Sequence, residues 1–289
     1  LIEGELLERA PRALDEADQA LLFSSGMGAT TTILMAHLAA GDEVVCSAAI
    51  YGGTLHLLTD VLARFGVDAR FVTVDALADP EAVIGPRTRL LWFETPTNPT
   101  LRCVDVARIA DACRARGVLS VLDNTFATPM NQRAFGLGVD LCMQSATKYL
   151  GGHSDVMGGV VTGPSALVTP IARTRRFVGT VMDPHAAHAI GRGLNTLRLR
   201  IAQHNSNARR VAEFLHGDAR VGRVWYPGLP SHPDHAIAAR QMSGFGGMVC
   251  FDVDGSVERA ACVYDRLQLI KRAASLGGVQ SLVSMPVLT

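Results

Sequence analysis

Arg89-Leu90-Leu91-Trp92-Phe93 and Val118-Leu119-Ser120-Val121-Leu122 are two short apolar runs, and between them residues 104–116 carry apolar side chains at helical spacing. Runs that are apolar on successive residues belong to strands covered on both faces. A strand, a helix and a second strand in that order make a parallel crossover unit. The pattern extends in both directions: residues 43–46, 69–74, 139–143 and 159–162 are further strand-like runs, and 30–39 and 54–65 have helical spacing. Up to about Pro184 the chain is therefore expected to form a mostly parallel α/β sheet. Beyond it the texture changes to a long helical stretch at 187–215, the punctuation Pro227-Gly228-Leu229-Pro230, a strand-like 247–253 and a helix at 257–267. This predicts an α/β domain over 1–186 and a smaller α+β domain over 187–289.

The composition narrows the class. With 289 residues, 48% hydrophobic and 19% charged, the chain has ample material for a large core, which excludes disorder and collagen-like structure. Its 27 basic and 27 acidic residues cancel, so neither a nucleic-acid binder nor a membrane-surface binder is expected. No apolar run reaches the roughly 20 residues needed to span a bilayer. The start Leu1-Ile2-Glu3-Gly4-Glu5 has no basic region followed by an apolar stretch, and a cytoplasmic location is expected. Six cysteines without a CxxC pair read as buried free thiols. His185 with His188, and His232 with His235, have three-residue spacing but no carboxylate or cysteine companions, so no metal site is expected. Arg173, Arg175 and Arg176 read as a solvated face or a subunit contact.

Among the 27 basic residues only Lys148 and Lys271 are lysine. A chain that uses arginine this consistently keeps a lysine where a primary amine is chemically required, since a guanidinium does not form a carbon–nitrogen bond with a carbonyl. Lys271, in Ile270-Lys271-Arg272, has the surroundings of a surface charge. Lys148 lies among hydroxyls and glycines, just beyond the run 139–143.

In open parallel sheets ligands bind beyond the carboxyl ends of the strands. The residues that follow the successive runs are Tyr51-Gly52-Gly53-Thr54, Glu94-Thr95-Pro96-Thr97-Asn98-Pro99-Thr100, Asp123-Asn124-Thr125-Phe126 and Ser145-Ala146-Thr147-Lys148. They bring an aromatic ring, an amide, a carboxylate, hydroxyls and the uncommon lysine to one edge. That set suits pyridoxal phosphate, whose carbonyl takes a lysine amine and whose pyridine nitrogen takes an acid partner, here Asp123. A turn-forming role for Asp123 and an edge-aromatic role for Tyr51 remain open at this point. Ser24-Ser25-Gly26-Met27-Gly28 precedes a helix and offers free backbone N–H groups to a phosphate, or Ser25 is simply its N-cap. Thr31 stands where a dinucleotide fingerprint has its third glycine, and no GxxxxGK[ST] occurs, so neither nucleotide motif is present.

Those strings, together with Ser145-Ala146-Thr147-Lys148-Tyr149-Leu150-Gly151-Gly152-His153-Ser154-Asp155, Gly193-Leu194-Asn195-Thr196-Leu197, Tyr226-Pro227-Gly228-Leu229 and Ser275-Leu276-Gly277-Gly278, resemble the trans-sulfuration (Cys/Met metabolism) family of pyridoxal-phosphate enzymes over nearly the whole chain. The resemblance implies the aminotransferase-like type I fold. It also implies that Lys148 binds the cofactor covalently, that Asp123 pairs its pyridine nitrogen and that Tyr51 stacks on its ring. Gly26, Met27, Ser145 and Thr147 would hold the phosphate, with Thr125 and Asn98 also at the cofactor and Ser275 at the substrate. Homotetramers whose sites are completed by a neighbouring subunit are implied as well, with a Tyr-x-Arg segment upstream of Leu1 and a carboxylate-binding arginine downstream of Thr289. Three positions depart from the family pattern: Gln144 replaces a frequent histidine, Ala274 a glutamate of γ-lyases and Gly53 a cysteine of methionine γ-lyases.

Elimination or replacement at Cγ of a sulfur-containing or homoserine-derived amino acid is the activity expected from that resemblance. β-Elimination on cystathionine or cysteine, O-acylhomoserine sulfhydrylase or methionine γ-lyase activity, and a non-catalytic paralogue are the alternatives.

Overall fold

A computed structural model describes residues 2–253 and 255–285. Seven strands form one sheet: β1 Gln19–Phe23, β2 Glu43–Ser47, β3 Asp68–Val72, β4 Thr88–Glu94, β5 Leu119–Asp123, β6 Leu141–Ser145 and β7 Gly159–Gly163. Their order across the sheet is β1-β7-β6-β5-β4-β2-β3. Every pairing is parallel except those of β7, which runs antiparallel to both β6 and β1. The expected α/β class with a mostly parallel sheet is what the chain adopts.

The helices of this part are α1 Ile2–Asp15, α2 Gly26–His37, α3 Gly52–His56, α4 Pro80–Val83, α5 Val106–Arg116, α6 Thr128–Asn131 and α7 Ser165–Val178. They cover both faces of the sheet. Val44 and Cys46 of β2 pack with Ile33 and Leu34 of α2 in one core, while Val45 packs with Ile109 and Cys113 of α5 in the other. Burial on two sides is why these strands carry no polar alternation. Local signals set the helix ends: Ser25 caps α2 by accepting from Gly28 N–H at 2.9 Å, and Asp105 caps α5 by accepting from Arg108 N–H at 3.2 Å. Gly117 ends α5 in the left-handed region, at φ +64°.

The later chain comprises α8 Pro184–Leu194, α9 Leu197–His216, β8 Val221–Trp225, α10 His235–Gln241, β9 Cys250–Val253, α11 Val257–Arg266, β10 Lys271–Arg272 and β11 Leu282–Val283. Strands β8 and β9 pair antiparallel, and β10 and β11 pair parallel. Asp234 ties this part to the sheet domain, accepting from Arg102 Nε at 2.6 Å and from Cys103 N–H at 2.9 Å.

Several details differ from the sequence reading. Strand β1 falls in a segment not expected to be a strand. Residues 54–65 are not one helix, because α3 gives way to a π-turn at Leu57–Val61 and a 3-10 turn at Leu62–Phe65. The stretch 187–215 is two helices, broken at Asn195 and Thr196. Of the six cysteines, Cys46, Cys103, Cys113 and Cys142 are buried free thiols, whereas Cys250 is partly exposed and Cys262 exposed. Arg175 is not on a solvated face: it pairs with Glu8 at 3.0 Å and donates to the Leu22 carbonyl. Among the described residues no helix is long and apolar enough to cross a membrane, and no three His, Cys, Asp or Glu side chains converge as metal ligands.

One buried acid holds α1 to the sheet. Asp15 accepts from Gln144 Nε2 at 3.1 Å and from Thr162 Oγ1 at 2.7 Å, both on the same oxygen. Its other oxygen, and Gln144 Oε1, are buried without a partner. Burial pushes the Asp15 carboxyl up to about 6, against the two donors. A carboxyl whose folded pKa is raised binds a proton more readily folded than unfolded, so its contribution to stability is largest in acid and falls as pH rises to about 6. Asp15→Asn removes the buried charge and can replace the unpartnered Asp15 oxygen by an N–H donor. It should stabilise the protein by about 2 kcal/mol above that pH, with little gain in acid. Melting temperatures at about pH 8 and about pH 4 check this, and an equal gain at both would refute the titration argument.

Candidate active site

Parallel strands β2, β4, β5 and β6 end at the same edge, and hydrogen bonds knit their carboxyl ends together. The Tyr51 N–H donates to Glu94 Oε1 at 2.7 Å, which links the loop after β2 to the last residue of β4. Glu94 is registered beside Asp123, the last residue of β5. Asp123 Oδ1 accepts from the Thr125 N–H at 3.0 Å and from Thr125 Oγ1 at 2.5 Å, and Thr125 Oγ1 in turn accepts from Ser145 N–H at 2.8 Å. One hydroxyl thus orients the carboxylate and joins β5 to β6.

Ser145 lies against the start of α2. A Cβ added at Gly26 would stand 3.0 Å from Ser145 Cβ and Oγ, so a side chain here would have to push Ser145 aside. The N–H groups of Gly26 and Met27, in the first turn of α2, have no protein acceptor among the described residues. Tyr51 folds over Gly53, where a Cβ would meet the Tyr51 ring at 2.6 Å and Met27 Sδ at 2.9 Å. About half of Tyr51 remains exposed. The Thr147 hydroxyl exchanges hydrogen bonds with Gly158, accepting from its N–H at 3.0 Å and donating to its carbonyl at 3.3 Å.

Lys148 is half-buried, and burial holds its amine below the usual lysine range. Its Nζ donates to Ser275 Oγ at 3.2 Å, which brings in the loop after β10. Gly277, at φ +81°, lets that loop lie on the lysine's own backbone: a Cβ there would come within 2.5 Å of Tyr149 N and 2.7 Å of the Lys148 carbonyl carbon. Gly277→Ala should therefore cost about 1–3 kcal/mol and displace Ser275 from Lys148. The check is a thermal melt together with the rate at which Lys148 takes up pyridoxal phosphate, and wild-type values in both would show that the loop yields freely.

The edge is acidic beneath its surface. Burial pushes the Asp123 carboxyl up to about 6, and its hydrogen bonds from Thr125 pull the other way. Glu94 is raised well above the usual carboxylate range, by burial first and by Asp123 second. Of the two, Glu94 is the group that keeps its proton, which leaves Asp123 as the charge available to a cation. No Lys or Arg pairs with Asp123 among the described residues.

Nine of the ten residues singled out by sequence are tied to this edge. Asn98 is exposed in the loop after β4, and no described hydrogen bond connects its side chain to Lys148 or Asp123. Sequence reasoning gave no role to Glu94 or to Arg200, whose guanidinium lies behind the lysine loop. A carboxylate closing an otherwise apolar strand was the available signal for Glu94. Neighbouring Asn124 is structural: its amide is locked to Gln132, which reaches the Thr95 carbonyl.

The donor set fits pyridoxal phosphate on its own geometry. Half-buried Lys148 offers an amine with lowered pKa, Asp123 a buried carboxyl without a cation, and α2 a side-chain-free cradle of N–H groups against Ser145.

The family model of Cys/Met metabolism PLP-dependent enzymes matches residues 3–289. Cystathionine gamma-synthase 1, chloroplastic, of Arabidopsis thaliana is 42% identical over 284 residues, covering 98% of this chain and 50% of that protein. Cystathionine gamma-lyase of Mus musculus is 43% identical over 284 residues, covering 98% of this chain and 71% of that protein. The structure of metB from Corynebacterium glutamicum superposes with a TM-score of 0.95 at 38% identity, over 97% of this chain and 73% of that one. The chain thus spans about half the length of the plant synthase. With the sheet order, the lysine at the end of β6 and a match over nearly all of its residues, the chain belongs to the family of Cys/Met metabolism PLP-dependent enzymes.

Proposed function

We propose that the protein catalyses pyridoxal-phosphate-dependent elimination or replacement at Cγ of a sulfur-containing or homoserine-derived amino acid. The observation that carries this reading is the meeting at one edge of Lys148, Asp123 and the open start of α2. When bound, the cofactor supplies an electron sink for the pair left when the substrate Cα loses its proton. Lys148 Nζ holds it covalently at rest. Freed by the substrate's amine, that Nζ is the base that takes the Cα proton and carries it toward Cγ, work suited to an amine held below the usual lysine range.

Asp123 would pair the pyridine nitrogen of the bound cofactor and keep it protonated, while Thr125 fixes the carboxylate's orientation. Glu94, protonated, takes the Tyr51 N–H and so keeps the aromatic ring over the site without adding a second charge beside Asp123. The Gly26 and Met27 N–H groups with the Ser145 and Thr147 hydroxyls would hold the phosphate, the exposed Asn98 would serve the ring's oxygen, and Ser275 would serve the substrate. Residues 1–186 act as the cofactor domain and 187–289 as the smaller domain that brings Ser275. The working form is a cytoplasmic homotetramer. Among the relatives, the names cystathionine gamma-synthase and cystathionine gamma-lyase support Cγ chemistry.

Product analysis tests the reading. Purified protein loaded with pyridoxal phosphate is given cystathionine, O-acylhomoserine with cysteine, and methionine in separate reactions. Cysteine with 2-oxobutanoate, or cystathionine from the O-acylhomoserine, supports it. Homocysteine with pyruvate from cystathionine would move the chain to β-elimination, and no product from any substrate would mark a non-catalytic member.

A further inference from the structure

Arg200, on α9, is a buried cation that serves carbonyls instead of a carboxylate. Its Nη1 donates to the Tyr149 carbonyl at 2.7 Å, and its Nη2 to the Gly193 carbonyl at 2.8 Å and the Leu150 carbonyl at 3.5 Å. Nε donates to Thr196 Oγ1 at 2.9 Å. Only 9% of the residue is exposed, and among the described residues no acid pairs with it. Burial accordingly lowers its pKa. Its charge adds to burial in lowering that of His204, whose ring meets Tyr149 edge-on at 5.2 Å.

Two glycines are shaped around it. Gly152, at φ +72°, would with a Cβ overlap the guanidinium at 2.0 Å, and a Cβ on Gly193 would reach the Gly151 carbonyl at 2.2 Å. The guanidinium thus fills the slot between residues 149–152 and the break that separates α8 from α9. Burying an unpaired charge is costly, and closing a loop onto a helix end does not require one. What the planar fork adds is simultaneous, directional hold on several peptide oxygens. Two of those oxygens belong to the residues immediately after Lys148.

We propose that Arg200 is a positioning residue for Lys148, fixing the Tyr149 and Leu150 peptides from beneath so that Nζ is presented in one orientation at the edge. Gly277 bears on the adjoining Lys148–Tyr149 peptide. The lysine backbone is therefore clamped between α9 and the loop of Ser275. This inference rests on the reading of Lys148 as the amine that binds the cofactor.

The test uses the full chain as wild type, Arg200→Lys and Arg200→Ala. Borohydride reduction and peptide mapping of the wild type come first, since an adduct on a residue other than Lys148 would overturn the functional reading itself and this inference with it. Given an adduct on Lys148, Arg200→Lys should keep the wild-type circular dichroism and take up pyridoxal phosphate about tenfold more slowly. In the cofactor-free protein its amides at 148–152 should exchange hydrogen faster. Turnover of cystathionine should lose kcat with KM held. Free guanidinium ion at millimolar level should restore part of the uptake rate in Arg200→Ala. Wild-type uptake and wild-type exchange in Arg200→Lys would overturn the proposal, whether or not the alanine variant folds.

Discussion

Replacing Lys148 by alanine is expected to abolish covalent binding of pyridoxal phosphate and, with it, all turnover. The only other lysine, Lys271, is exposed on the two-residue strand β10 and bonds through its backbone to Ser281. No second amine is poised at the sheet edge to take over. Lys148→Arg should fail as completely, since a guanidinium retains charge and length but does not form the bond. The loss should exceed about a thousandfold in kcat, because one side chain both anchors the cofactor and moves the proton. Mass spectrometry after borohydride reduction gives the result directly. An adduct on Lys271 in the alanine variant would displace Lys148 from the site.

Asp123→Asn should lower kcat by about a hundredfold while cofactor is retained. Asparagine keeps an oxygen for the Thr125 N–H and hydroxyl, so the bridge from β5 to β6 survives and the strand ends stay in place. What it loses is the negative charge that keeps the pyridine nitrogen protonated. The substitution also releases Glu94 from the repulsion that helps to raise its pKa. Steady-state kinetics beside a titration of cofactor binding separates the two effects. Unchanged turnover in a protein that still binds cofactor would remove Asp123 from the chemistry.

The sheet could be read from sequence because burial on both faces leaves its mark on every residue of a strand, as in Leu90-Leu91-Trp92-Phe93. Strand β1 escaped notice for the converse reason. Gln19-Ala20-Leu21-Leu22-Phe23 is made of residues that also favour helix, and only its antiparallel pairing with β7 makes it a strand. The break between α8 and α9 was hidden because Asn195-Thr196 carries neither glycine nor proline at the break itself; Arg200 shapes it through side-chain bonds to Thr196 and the Gly193 carbonyl. At the site, Lys148 was legible from the rarity of its residue type and Asp123 from its place at a strand end. Glu94 offered the same strand-end signal but no role, since what it does comes from its burial and its bond to Tyr51; Arg200 offered none, because burial and contacts are not recorded in residue type.

The contact of Gly277 with the Lys148 backbone also sets an order of events in biosynthesis. Ser24 to Gly28, the strand ends and Lys148 all leave the ribosome before the loop that closes over the lysine. That loop lies more than a hundred residues further along the chain. A nascent chain can assemble most of the sheet and still lack the roof of its lysine, so cofactor capture by a finished pocket belongs to the last stage of translation or follows it. Arrested chains ending before Ser275 should therefore exchange pyridoxal phosphate with solution rapidly, and chains extended well past Gly278 should hold it.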